Sequence, residues 1–312
     1  MSPLPSYEYY VYAAAAYGDK IYVISKPQNV TAYQHTWAYN TLTDSWEQKA
    51  QLTNVRQGIA ANVADGKIYV ISGQAISAPQ RTPWPASEIN TVYDPETDSW
   101  STAEPILVPV MYYASAVVDG KIYIIGGEDP MVDDVTVDLV QIFDPQTGEW
   151  SQGSSMPKGV YCTDACATSG EFAPQRIYVV GGSYLPTNGN LLTYTNLTQI
   201  YDPRSDSWTT GADMPTARTL LSVSCVDDAV YAIGGLIGYE ACAANERYLP
   251  IGYEVPSSPS PQNSANNPSP SPSIPEFPFL MTLPMIAVIS AFLGVLLKTK
   301  GFKITSNSKS KD

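Results

Sequence analysis

The chain has 312 residues, of which 44% are hydrophobic and 15% charged, with 22 tyrosines and a formal net charge of −13. That length holds one large β domain or two ordinary ones, and sparse charge with abundant Tyr, Val, Ile and Thr favours strands, whose pleated, half-buried surface suits those side chains. The acidic balance lacks the basic footprint that nucleic acid requires, so no nucleic-acid partner is expected.

From the N-terminal side, a hairpin phrase recurs. It reads "GDKIYVIS" at Gly18, "DGKIYVISG" at Asp65, "DGKIYIIGG" at Asp119, "RIYVVGG" at Arg176 and "DAVYAIGG" at Asp228. Its tyrosines, Tyr22, Tyr69, Tyr123, Tyr178 and Tyr231, are spaced by 47, 54, 55 and 53 residues. A period near 50 points to propeller blades rather than to helical repeats. A second phrase follows each of the first four: "YNTLTDSW", "YDPETDSW", "FDPQTGEW" and "YDPRSDSW". Tyr39 to Trp46, Tyr93 to Trp100, Phe143 to Trp150 and Tyr201 to Trp208 are each seven apart.

Each piece has a mechanical reason. Asp65-Gly66 and Asp119-Gly120 supply the two-residue turn that right-twisted hairpins prefer. The pairs Gly126-Gly127, Gly181-Gly182 and Gly234-Gly235 admit a close backbone neighbour where a strand leaves its sheet. Asp94-Pro95, Asp144-Pro145 and Asp202-Pro203 start turns, Pro fixing φ at the second position. Each Trp opens an outer strand and is expected between adjacent sheets.

These phrases resemble the kelch repeat. The resemblance covers about residues 9 to 253 and implies an all-β propeller of about five four-stranded blades around a central channel. Departures fall at Ser25-Lys26 and Ser72-Gly73, where a Gly pair is usual, and at Tyr39-Asn40-Thr41. The fifth repeat shows only "RYLPIGY" and no Trp. Kelch propellers commonly close by borrowing a strand from the other terminus. "SPLPSYEYY" aligns with "SSMPKGVYC" and "ADMPTARTL", the segments that follow a fourth strand, so Met1 falls at the end of a strand whose body is absent. No basic start or apolar stretch marks a signal peptide. The expectation is an N-terminally truncated propeller whose upstream sequence holds an export signal; the alternative is a five-bladed ring closed without strand exchange.

The loops between second and third strands are long and dissimilar, the pattern of a binding surface on a regular scaffold. They carry Tyr33, Trp37, Trp84, Tyr184, Tyr194 and Tyr239, amphipathic rings suited to sugar or peptide ligands or to packing on their own blades. First strands add Arg56, Tyr112, Tyr161 and Arg218 near the same mouth, although an Arg there is mostly structural in the kelch pattern. The acidic run "EDPMVDDVTVD" lacks the ligand order of a calcium loop, so no metal is expected. Nor is any cofactor: a copper oxidase resembling galactose oxidase needs two histidine ligands, and His35 is the single histidine. No catalytic set is identified; Asp164 is the obvious acid on the inner strands.

Four cysteines allow three full pairings. Cys162 with Cys242, at upper ends of neighbouring blades, is the expected bridge, with free thiols as the alternative. Sequons at Asn29 and Asn196 fall in reachable loops.

Beyond the propeller, residues 1–255, the chain changes character. Residues 256–276 are a Pro/Ser-rich stalk that cannot form a core. Residues 277–297 are uncharged and about the length needed to cross a bilayer as one transmembrane helix. Residues 298–312 hold five lysines and one acid, whereas residues up to Val255 hold 12 basic against 28 acidic residues. Such asymmetry puts the Lys-rich tail in the cytoplasm and the propeller outside a single-pass cell membrane anchor in contact with lipid. "IPEFPF", through Pro275, Glu276 and Phe277, resembles the archaeal PEF-CTERM sorting signal, which implies archaeosortase processing. The tail of 15 residues after the span is longer than such signals carry.

The function these features favour is a non-enzymatic cell-surface module that binds surface proteins or glycans. The alternative is an extracellular carbohydrate-active hydrolase or lyase at the channel mouth. A cytosolic adaptor is undercut by the apolar span.

Overall fold

The computed structural model describes residues 2–5, 9–27, 33–76, 85–129, 135–186 and 192–255. Trp84, Asn29, the Pro275–Phe277 motif, the stalk, the apolar span and the basic tail lie outside them. Among the described residues no helix is long and apolar enough to cross a membrane. The described residues up to Gly238, with Cys242 to Val255, form one compact unit.

This unit is a succession of antiparallel sheets, each starting from an inner strand. Blade 1 is Tyr9–Tyr17, Lys20–Pro27, Gln34–Asn40 and Ser45–Leu52. Blade 2 is Ala61–Ala64, Lys67–Ile71, Asn90–Asp94 and Ser99–Ala103. Blade 3 is Ala114–Val118, Lys121–Ile125, Val140–Asp144 and Glu149–Gly153. Blade 4 is Asp164–Ala167, Ile177–Val180, Thr198–Asp202 and Ser207–Thr210. Blade 5 has three strands, Ser222–Val226, Ala229–Ile233 and Asn245–Tyr248. Consecutive inner strands are neighbours from blade 1 through to blade 5.

Local chemistry builds the hairpins. Asp65 and Gly66 sit at φ 48° and 71°, and Asp119 and Gly120 at 50° and 75°, the left-handed pair such a turn requires. At the other end of the second strand, Gly126 and Gly127 have φ of 65° and 100°. A Cβ on Gly126 would stand 2.6 Å from the Val160 carbonyl oxygen of the next blade, which explains the glycine. Blade 2 substitutes Ser72 at φ 54°, and its hydroxyl donates to the Val110 carbonyl. Blade 1 has no Gly pair, and its second strand runs on to Pro27.

Cohesion between blades comes from the two repeated aromatics. The tyrosine of one blade's second strand meets the third-strand ring of the next: Tyr22 with Tyr93, Tyr69 with Phe143, Tyr123 with Tyr201 and Tyr178 with Tyr248, at centroid distances of 5.7 to 6.0 Å. Burying such a ring is worth about 1.5–3 kcal/mol, and a tilted aromatic pair adds roughly 0.5–1.5 kcal/mol. Each outer-strand tryptophan donates its indole N–H to the preceding fourth-strand line, Trp100 to Ala50, Trp150 to Glu104 and Trp208 to Ser154. Trp46 donates to Ser2, so Ser2 occupies the place that Ala50, Glu104 and Ser154 occupy elsewhere.

The side of blade 5 facing away from blade 4 differs. On the corresponding side of blades 1 to 4, Ile24, Ile71, Ile125 and Val180 are at most 2% exposed, whereas Ile233 is 44% exposed. Ser222, Ser224 and Arg247 are exposed on the same side.

Candidate functional site

Two short ribbons crown blades 3 and 4 at the loop end. Glu128–Asp129 pairs with Val135–Thr136, and Ser183–Tyr184 pairs with Thr193–Tyr194. The second ribbon carries two predicted aromatics, Tyr184 opposite Thr193 and Tyr194 opposite Ser183, on opposite faces. Tyr184 is half-buried with the Lys158 ammonium 3.6 Å above its ring centre, a cation–π contact. The Tyr194 hydroxyl donates to the Gly238 carbonyl at 3.3 Å, tying the blade 4 ribbon to blade 5. Tyr239 is 56% exposed.

Tyr33 and Trp37 group elsewhere. Strand three of blade 1 begins at Gln34, so Trp37 is not a loop residue as expected; it sits within the sheet, opposite Val23 and Gln48. The reason is the alternation Tyr33, His35, Trp37, which puts three rings on one face of an extended strand. Tyr33 stacks on His35 at 5.2 Å, and Trp37 meets His35 edge-on at 5.9 Å. Burial lowers the His35 pKa. His35 joins the two expected aromatics in this row through the period-two spacing of Tyr33, His35 and Trp37.

The two arginines expected near the mouth are taken out of solvent. Arg56 is 1% exposed and donates to the carbonyls of Ser72, Ile89 and Val70 and to Thr91 Oγ1. Desolvation lowers its pKa to about 10. Arg218 is 0% exposed and donates to Ala232 O and Glu246 Oε2, the latter at 2.8 Å. Neither lies on a first strand as expected: both sit in the segment leading into an inner strand, Ala61–Ala64 or Ser222–Val226, and fasten that segment to its own blade with the guanidinium out of solvent.

Tyr112 and Tyr161 belong to the inner rim. Tyr112 and Cys162 both lie at left-handed φ, 54° and 51°, as does Leu220 at 54°. Their backbones form a relay across blades: Tyr112 N–H to Gly58 O, Cys162 N–H to Tyr112 O, and Leu220 N–H to Cys162 O, at 2.7 to 2.9 Å. Burial pushes the Tyr112 phenol well above its usual range. Tyr161 exchanges two backbone bonds with Ser183 at the foot of the blade 4 ribbon.

The expected Cys162–Cys242 bridge is corrected. The disulfide joins Cys166 and Cys225, with Cα atoms 5.7 Å apart, and both Cys162 and Cys242 are free thiols. Cys166 and Cys225 lie at matching heights on the neighbouring inner strands of blades 4 and 5, opposite Tyr178 and Val230 of their own sheets. Sequence spacing fixed each cysteine's strand but not the stagger between strands of different blades. Two residues away, Asp164 accepts the Val223 and Ala165 amides at 2.9 and 2.8 Å, and burial raises its pKa to about 6. Asp164 is thus a strut between blades 4 and 5.

Asn196 turns its side-chain amide inward, donating to Met214 O at 3.1 Å, so a glycan there would have to displace that bond. At the opposite, hairpin end, a cleft of about 390 Å³ is lined by Asp119, Glu171, Gln175, Asp227 and Asp228. The Asp228 carboxylate is already occupied by the amides of Ser169, Phe172 and Ala173. Among the described residues no cluster of His, Cys, Asp and Glu could hold a metal ion.

Five sheets with these inter-blade contacts define a β-propeller. The Kelch motif model matches residues 109–157, which are blade 3 with the segment leading into it, and residues 166–215, which run from within the first strand of blade 4 past the end of its last. The chain is 26% identical over 234 residues to Kelch-like protein 23 of Homo sapiens, covering 74% of this chain and 38% of that protein. To Kelch-like protein terF of Aspergillus terreus it is 29% identical over 198 residues, 58% of this chain and 39% of the other. It therefore spans under two-fifths of the length of these relatives. The solved structure described as "Structure of YjhT" superposes with a TM-score of 0.62 at 17% identity, covering 76% of this chain and 80% of that one. The described residues form an all-β propeller of five blades that carries kelch motifs.

Proposed function

We propose that this propeller is a binding module displayed at a cell surface, held by the 277–297 span on the 256–276 stalk, and that its ligand is a protein or glycan gripped by the loop end. The observation that carries this reading is the contrast between strands that repeat in register and loops that do not. A rigid frame with irregular, aromatic-bearing loops is how scaffolds present recognition surfaces. The Tyr184–Tyr194 ribbon, with Lys158 over one ring, supplies flat amphipathic area with a cation beside it.

The inter-blade disulfide supports an extracytoplasmic site, because such bonds persist in oxidising compartments. The acidic propeller and basic tail support the same topology. Contact with lipid through the span, and archaeosortase processing at Pro275–Phe277, belong to this reading. The alternative, a carbohydrate-active enzyme, would rest on Asp164, whose oxygens are committed to two amides.

Protease added to intact cells should release propeller fragments while an epitope in the Lys-rich tail stays protected. Both ends protected, or both cleaved, would refute the topology. In a screen of surface proteins and glycans, the captured ligand should bind Tyr184→Ala and Tyr194→Ala proteins more weakly at unchanged melting temperature. Equal binding by both variants would remove the loop end from consideration.

A further inference from the structure

The cleft at the hairpin end reaches the disulfide. In blades 2 and 3 a two-residue turn joins the first and second strands, whereas in blade 4 the chain runs from Ala167 to Ile177 through a longer loop. That loop stands beside the hairpin ends of blades 3 and 5 and shares with them the cleft of about 390 Å³, whose wall includes Cys225 beside Val117, Phe172 and Asp227. The two sulfurs are unequally placed. Cys225 is half-buried, while Cys166 is 9% exposed and packs among Tyr178, Ile200, Met214 and Val223. Along its strand Cys225 shares a side with buried Val223, away from the exposed side chains of Ser224 and Val226, so the open approach to its sulfur is through the cleft.

The backbone on either side of Cys225 is tied to blade 4 by bonds that do not involve sulfur. Asp164 accepts the Val223 amide at 2.9 Å, and Asp228 accepts the amides of Ser169, Phe172 and Ala173. Opening the disulfide therefore leaves the two cysteines within reach of each other. The cleft wall is also charged. Asp119, Glu171, Asp227 and Asp228 line it, and no Lys or Arg is among its lining residues.

We propose that Cys225 is a thiol-exchange site, reached through this cleft by a thiol reductant that carries positive charge beside its sulfur. The reductant's thiolate attacks Cys225 Sγ and forms a mixed disulfide there, while Cys166 leaves as a thiolate and takes up a proton. A second reductant thiolate attacks the reductant sulfur of the mixed disulfide. That step releases the oxidised reductant, a disulfide, and Cys225 as a thiolate that is protonated in turn. Two reductant thiols thereby become one disulfide as the protein's bond becomes two thiols. Attack at Cys225 rather than Cys166 follows from access, which together with thiolate character governs such exchange. Selection by charge follows from the wall, because carboxylates lining a concave site concentrate cations and repel anions. The exchange is reversible, since the Asp164 and Asp228 bonds keep reclosure intramolecular.

The test uses the oxidised full chain with cationic cysteamine, neutral 2-mercaptoethanol and anionic 3-mercaptopropionate as probes. Rates of reduction are taken relative to those of an uncharged small-molecule disulfide, which removes the thiols' own differences in pKa and nucleophilicity. Cysteamine should be favoured over 3-mercaptopropionate by about tenfold at low salt, and added salt should compress the ratio. Glu171→Gln with Asp227→Asn should compress it too. Both side chains are exposed, and asparagine tolerates the φ of 49° at position 227. After quenching and alkylation, peptide masses should place the cysteamine adduct on Cys225 and the alkyl group on Cys166. The rate should stay flat in urea below the unfolding transition. An adduct on Cys166, equal relative rates for the three thiols, or a rate that climbs with urea from the first addition would overturn the proposal, the last by showing that the sulfur is reached only when the blades open.

Discussion

Asp98 Oδ1 accepts the hydroxyl of Tyr93 at 2.7 Å, and the same oxygen accepts the amide of Ala50, 48 residues earlier in blade 1, at 2.8 Å. One carboxylate oxygen thereby closes a five-residue turn and clasps the blade before it. Tyr39–Asp44–Ser2 and Tyr201–Asp206–Ser154 repeat the arrangement. Blade 3 lacks both partners at once, having Phe143 for the tyrosine and Gly148 for the aspartate.

That joint absence gives a double-mutant test. Gly148 already has φ 73°, close to the 48° to 51° of Asp44, Asp98 and Asp206. Phe143→Tyr with Gly148→Asp should therefore stabilise the protein beyond the sum of the single changes, by about 0.5–1.5 kcal/mol for one net hydrogen-bonded pair. Phe143→Tyr alone should be neutral or unfavourable, its hydroxyl lacking the acceptor. Urea midpoints of the four proteins check this, and strict additivity would contradict it.

Acid should act on these clasps in one direction and on Asp164 in the other. Hydrogen bonds hold the carboxyls of Asp44 and Asp206 below the usual carboxylate range, and the Tyr93 and Ala50 bonds outweigh burial at Asp98. Their contribution is complete above the unfolded value of 3.8 and is lost as pH falls through the depressed folded values. Asp164 is raised from 3.8 to about 6 by burial, so its cost is complete above about pH 6 and is relieved as pH falls toward 4. Melting temperature should rise modestly on going from pH 7 toward 5, then drop below 4. Asp164→Asn should abolish the rise and keep the drop.

Reducing Cys166–Cys225 should loosen blade 5. The bond spans 59 residues, for which the chain-entropy model gives about 4 kcal/mol. A thiol reductant should lower the melting temperature of the native protein and leave that of Cys166→Ser/Cys225→Ser unchanged. Mass analysis should find Cys162 and Cys242 alkylated without reduction.

Arg56→Lys should be nearly as damaging as Arg56→Met. The guanidinium fork serves three carbonyls and a hydroxyl from a buried position, and an ammonium cannot reproduce that fan of donors. Removing the guanidinium leaves buried carbonyls without donors, at a cost of about 1–3 kcal/mol for each that stays unsatisfied. Chemical denaturation of both variants checks the expectation, and rescue by lysine would count against it.

How much was legible follows from the range of each interaction. The turns at Asp65-Gly66 and Asp119-Gly120 and the glycine pairs depend on residues adjacent in sequence. The repeat was visible because every blade needs the same hairpin and the same seven-residue aromatic spacing. Trp37 was misassigned to a loop because an alternating aromatic run extends a strand earlier than its neighbours' pattern suggests. Arg56 and Arg218 were expected on inner strands, whereas they lie in the segments just before Ala61–Ala64 and Ser222–Val226, and only the packed blade shows that their donors point into carbonyls.

The sequence by itself determined the blade: its strands, its turns, and the residues that had to be buried, because period-two alternation and turn chemistry act over a few residues. Only the tertiary structure decided what one blade does to the next. Tyr22 finds Tyr93, Cys166 finds Cys225 and Ala50 finds Asp98 across 48 to 71 residues of chain. These partners are set by the stagger of neighbouring sheets, a rigid-body relation to which no local preference contributes.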